Sequence, residues 1–105
     1  MQAHPSRNDV LEALRRVAPE LRRLGVRRIG LFGSVARGEG SAGSDIDLVV
    51  EFGSKSFDGY MGVKLFLEDL FGRRVDLVLE DRIKPRLRPR ILSETIYAEG
   101  LAGLP

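Results

Sequence analysis

The stretch "LFGSVARGEGSAGSDIDLVVEF", residues 31–52, decides how the whole chain is read. Upstream, "RRIGLFGS" places Ile29, Leu31 and Phe32 in a short buried strand bounded by Gly33. "SVARG" fits a single helical turn with Ser34 at its start. "EGSAGS" is too rich in Gly and Ser for anything but a loop. "DIDLVVEF" then reads as a second strand, and its Leu48-Val49-Val50 run predicts burial on both faces.

Outward from this stretch the pattern alternates. Val10, Leu11, Leu14, Val17, Ala18 and Leu21 recur at helical spacing, predicting one helix capped by Asn8 or Asp9 and running to about Arg23, with Gly25 ending it. After a turn at "GSKSFDG", "YMGVKLFLEDLFG" predicts a helix with Val63, Leu67 and Leu70 on one buried stripe, Phe66 beside it, and Gly72 at its end. "RRVDLVLE" is a third strand. Pro85 and Pro89 make "DRIKPRLRP" irregular. "RILSETIYAEG" reads as a final helix burying Ile91, Leu92, Ile96 and Tyr97. The expectation is a single α/β domain over residues 8–98, a small sheet flanked by helices, with residues 1–7 and 99–105 as tails.

Composition narrows the function. A chain of 105 residues has room for one core and no separate substrate domain. It has no cysteine, so neither disulfides nor thiolate metal sites arise. The N-terminal stretch lacks the apolar region of a signal peptide, and no apolar run approaches the roughly 18 residues of a membrane span. The expected location is the cytoplasm, with no membrane partner. Net charge is +2, and fourteen of the seventeen basic residues are Arg. They cluster at Arg15, Arg16, Arg22, Arg23, Arg27 and Arg28, and again at Arg82, Lys84, Arg86, Arg88 and Arg90. A solvated helix face explains such clusters as readily as an acidic partner does. No aromatics interleave with them, so nucleic acid is not expected as the main ligand. His4, the sole histidine, falls in the tail and offers no triad. Walker A and dinucleotide-binding glycine patterns are absent.

The carboxylates carry the chemistry. Asp45 and Asp47 are two apart on a predicted strand, so both side chains leave one face with Cα atoms about 6–7 Å apart. Ile46 faces the core. Paired carboxylates repel unless a cation lies between them. Hard oxygen donors suit Mg²⁺, which shares its shell with substrate phosphates, and two such ions stabilise attacking and leaving oxygens. Solvent-exposed strand-edge aspartates would give the same D-x-D pattern. Asp76 lies inside the apolar run Val75–Leu79, where a carboxylate needs a partner or a metal; Arg73 or Arg74, or an exposed edge, would also satisfy it. Gly33-Ser34 offers close approach to backbone N–H groups and a hydroxyl for phosphate, with Arg37 one turn further on; a plain Ser N-cap is the simpler reading.

Together, Gly33-Ser34, ten residues, Asp45-x-Asp47 and a later strand carrying Asp76 resemble the DNA polymerase β-like nucleotidyltransferase superfamily. The match is nearer still to the minimal nucleotidyltransferases (MNT), many of which carry an "FGSxARGE…SDIDLVV" stretch. The resemblance covers about residues 8–98. It implies a mixed sheet with the second strand central. It implies Asp45, Asp47 and Asp76 as catalytic, metal-binding carboxylates for two Mg²⁺ ions, and Gly33, Ser34 and Arg37 as the triphosphate grip. It also implies ATP as substrate and a HEPN-domain RNase toxin as partner, with AMP passing to a toxin tyrosine, so that the chain acts as antitoxin. A non-catalytic antitoxin, or a transferase acting on a small molecule or RNA end, is the alternative expectation.

Overall fold

The computed structural model describes residues 5–54 and 56–100; His4 and most of both expected tails lie outside them. The order is α1 (Arg7–Arg16), α2 (Ala18–Arg23), β1 (Val26–Phe32), α3 (Gly33–Ala36), β2 (Ile46–Phe52), α4 (Phe57–Phe71), β3 (Val75–Leu79), a 3-10 turn (Glu80–Arg82), α5 (Arg88–Glu94) and β4 (Ile96–Tyr97). No helix among the described residues is long and apolar enough to cross a membrane.

The sheet order is β3-β2-β1-β4. β1 pairs antiparallel with both β2 and β4, while β2 and β3 run parallel, so the sheet is mixed and β2 is interior as expected. Ile46, Leu48, Val50 and Phe52 alternate into one core with Leu14, Leu21, Val63 and Leu67. That alternation turns Asp47 to the other face, where it is half-buried. Val49, also on that face, is buried, so β2 is covered on both sides as its apolar run predicts. The outward polar groups of edge strand β3 are taken up by α4. Glu68 accepts from the Val75 N–H (3.0 Å), Lys64 donates to the Val75 carbonyl (2.6 Å), and the Tyr60 hydroxyl donates to the Leu77 carbonyl (2.6 Å). These contacts cover an edge that would otherwise invite a foreign strand.

Several boundaries differ from the expectation. The first helix is two helices. Pro19 has no N–H for the Arg15 carbonyl, and its ring is tolerated only in a first turn, so the chain restarts at Ala18. The cap is Ser6, whose Oγ accepts from the Asp9 N–H at 3.0 Å, rather than Asn8 or Asp9. Ser56 likewise caps α4, which begins at Phe57, three residues ahead of the expected start at Tyr60. Leu70 is 38% exposed and does not join the buried stripe. Strand β2 begins at Ile46, so Asp45 sits just before it.

The largest correction is at the C-terminal end. α5 stops at Glu94, and Ile96–Tyr97 is a strand, with Ile96 opposite Leu31 and Tyr97 opposite Gly30. Ile96 is 37% exposed rather than buried. Gly30 makes this pairing fit: a Cβ there would lie 2.4 Å from Thr95 Cγ2 and 3.2 Å from the Ile96 carbonyl. A glycine in an apolar strand marks such an approach.

Candidate active site

The end of β1 and the starts of β2 and β3 meet at one end of the sheet. Phe32 is opposite Asp47 in the antiparallel pair, and Asp47 is opposite Asp76 in the parallel pair. Three sequence segments thereby deliver Gly33-Ser34, Asp45 with Asp47, and Asp76 to one rim. Asp76 is exposed rather than buried, so register and not burial places it. Neither nearby arginine is its partner. Arg73 donates to the Ala42 and Ser44 carbonyls, and Arg74 lies 4.0 Å from Asp45 in an exposed pair.

Asp47 is the electrostatic centre. Its carboxyl is pushed up to about 6, first by burial and then by the negative charges of Asp76 and Asp45; Arg37 opposes this, and Glu94 adds to it. Gly33 packs directly on it. Its φ is +80°, and a Cβ there would stand 2.1 Å from Asp47 Oδ2 and 2.9 Å from Cγ. Glycine is required twice over, for backbone conformation and for space. The Ser34 hydroxyl has no hydrogen-bond partner among the described residues and is free for a ligand. Arg37 is held by Glu39 (3.1 Å) and by Glu94 (3.2 Å).

Glu94 is the site residue that sequence reasoning missed. Its Oε2 accepts from the Gly33 N–H at 3.2 Å, across 61 residues of chain. Assigned to a continuous final helix, it looked like an ordinary polar position; only the strand at Ile96–Tyr97 brings it to β1.

Carboxylate oxygens of this kind suit a hard divalent cation. Burial first, and the charges of Asp76 and Asp45 after it, disfavour the ionised Asp47 carboxylate, and a bound cation would offset both. Among the described residues no three acidic groups form a ready-made cage. Mg²⁺ needs none, because it is held by one or two carboxylates together with substrate phosphates. A cavity of about 600 Å³, lined by Phe52, Phe57, Tyr60, Leu77 and Arg82, lies beside the N-terminal turn of α4 and contains none of these residues.

Residues 14–98 match the model of the nucleotidyltransferase domain. The chain belongs to that family. Within it the chain is an MNT protein and a nucleotidyltransferase. It is 42% identical over 80 residues to the protein adenylyltransferase MntA of Thermococcus cleftensis, spanning 74% of this chain and 81% of that one. A solved structure provisionally described as a minimal nucleotidyltransferase superposes with a TM-score of 0.75 at 41% identity, covering 90% of this chain and 98% of that one. The fold also matches, with a TM-score of 0.54 and 21% identity, a chain in a complex of tri-AMPylated Shewanella oneidensis HEPN toxin with MNT antitoxin; 87% of this chain and 66% of that one are covered.

Proposed function

We propose that this MNT chain transfers AMP from Mg–ATP to a hydroxyl, that of a tyrosine, on a HEPN-type toxin, and so acts as its antitoxin. The observation that carries the reading is the register of Asp47 against Asp76, with Gly33 packed on Asp47. The carboxylates and the Gly33-Ser34 turn thus share one rim. The kinship with a protein adenylyltransferase supports a protein acceptor, and the likeness to an MNT chain from a toxin complex supports the partner.

Asp45, Asp47 and Asp76 would hold Mg²⁺, which supplies charge neutralisation to the polyphosphate when bound. The Gly33 N–H, the Ser34 hydroxyl and Arg37 would grip the phosphates. Asp76, exposed at the rim, would take the acceptor proton as the hydroxyl oxygen bonds to the α-phosphorus. The bond from that phosphorus to the bridging oxygen breaks, and pyrophosphate leaves with the electron pair. The protein's contribution is positioning and electrostatics.

The test is mass spectrometry of the toxin after incubation with the chain, ATP and Mg²⁺. Addition of AMP units is expected, lost with Asp45→Ala/Asp47→Ala while the fold persists by circular dichroism. Neutralisation of the toxin without ATP and without added mass would establish a binding-only antitoxin instead. Labelling that persists in the double variant would remove the carboxylates from the mechanism.

A further inference from the structure

We propose that Glu94 is an internal stand-in for a nucleotide phosphate, and that a triphosphate binds by displacing it from Gly33 and Arg37. The inference rests on the reading of this rim as a nucleotide site. Glu94 accepts from the Gly33 N–H at 3.2 Å and from the Arg37 guanidinium at 3.2 and 3.4 Å. A backbone N–H and an arginine are the donors that an anionic phosphate oxygen takes. One N–H cannot serve two anions, so carboxylate and phosphate exclude each other there.

Little else favours a carboxylate at this place. Glu94 ends α5, and the C-terminal end of a helix repels negative charge. It also stands close enough to Asp47 to raise that carboxyl further. Its backbone is fixed from both sides. The Thr95 N–H donates to the Leu92 carbonyl (3.2 Å), the Thr95 hydroxyl donates to the Ile91 carbonyl (2.7 Å), and β4 pairs with β1 immediately after. Displacement therefore asks only for rotation of a side chain, without unpairing the sheet. Glu39 keeps a second hold on Arg37 at 3.1 Å, so the guanidinium stays at the rim when Glu94 leaves. A competing internal ligand lowers apparent affinity by the fraction of molecules in which the site is open.

The test is equilibrium binding of Mg–ATP and of Mg–tripolyphosphate to the full chain. Glu94→Gln preserves the shape but removes the charge. About five- to tenfold tighter binding of both probes is expected, which a damaged fold would not produce. Glu94→Asp, which withdraws the charge by one methylene, should give a smaller gain in the same direction. In an Arg37→Ala background the gain from Glu94→Gln should fall below about twofold, since the two residues are coupled. Equal or weaker binding by Glu94→Gln, with wild-type binding intact, overturns the inference alone. A gain for ATP but not for tripolyphosphate overturns phosphate as the competing group. If neither wild type nor variant binds either probe, the nucleotide-site reading itself falls.

Discussion

Two glutamates at opposite ends of the sheet hold arginines in different ways. Glu80, just past β3, has a side chain only 15% exposed, and it receives Arg28 at 3.1 Å and Arg88 at 3.2 Å. Arg88 also donates to the Glu80 carbonyl at 2.7 Å, and the Arg28 guanidinium lies 4.3 Å from the centre of the Tyr97 ring. Glu51 also pairs with Arg28, at 3.5 Å, so two cations face two anions and the cluster is internally balanced. Glu94 shares its one arginine with Glu39 and acts on Asp47, which already feels the charges of Asp45 and Asp76. The first end is a closed structural joint. The second is short of positive charge. Arg28 and Arg88 therefore do not belong to a free basic surface, although the sequence groups them with arginines that do.

The difference can be broken most severely at Gly33. Gly33→Ala must adopt a φ of +80° and force Asp47 aside, so a stability loss of about 2–4 kcal/mol is expected in urea unfolding, together with lost nucleotide binding. A stable, active variant would show that the turn is looser than described. At the balanced end, Glu80→Ala leaves Arg88 without its carboxylate and Arg28 with Glu51 alone. A loss of about 1–2 kcal/mol is expected, with ATP affinity unchanged. Weakened ATP binding at unaltered stability would contradict the division between the two ends.

Asp47 supplies a pH-dependent comparison. Its carboxyl titrates near 6 in the folded protein against an ordinary value of 3.8, so between those values the folded state holds the proton more tightly than the unfolded one. Ionisation of Asp47 thus costs stability as pH rises through that window. In metal-free buffer, Asp47→Asn should be more stable than wild type by about 1 kcal/mol above pH 6, after solvent screening is allowed for. The gain should shrink as pH falls and be gone below about pH 4. Thermal melts across pH measure it, and a gain that persists at pH 3.5 would assign the effect to packing. Added Mg²⁺ should raise the melting temperature of wild type more than that of Asp47→Asn. The smallest effect is expected from Ser34→Ala, about a two- to fivefold loss of ATP affinity with stability unchanged. No change in affinity would remove the hydroxyl from the phosphate grip.

The parts that sequence made legible depended on short-range rules. The period of two put Ile46 in the core and Asp47 on the opposite face, and the Gly/Ser run marked the loop between β1 and β2. Asp76 was legible as a candidate, but for an incomplete reason: it is exposed, and the pairing of β3 with β2 is what sets it beside Asp47. What escaped depended on distant chain. Gly30 reveals its purpose only once Thr95 and Tyr97 are laid against it. Glu94 acquires a role only through that same strand. Pro19 was a local signal and readable, yet the continuous apolar stripe around it concealed the break.

The alternation along β2 makes one strand serve two masters, since the residues that face the core and those that face the rim are interleaved. A pairing error of a single position would turn Asp47 inward and Ile46 outward together. Such a chain would bury a charge and lose part of its core in one stroke, so a miswired rim carries its own instability. Assembly of the chemistry is in this sense proofread by packing.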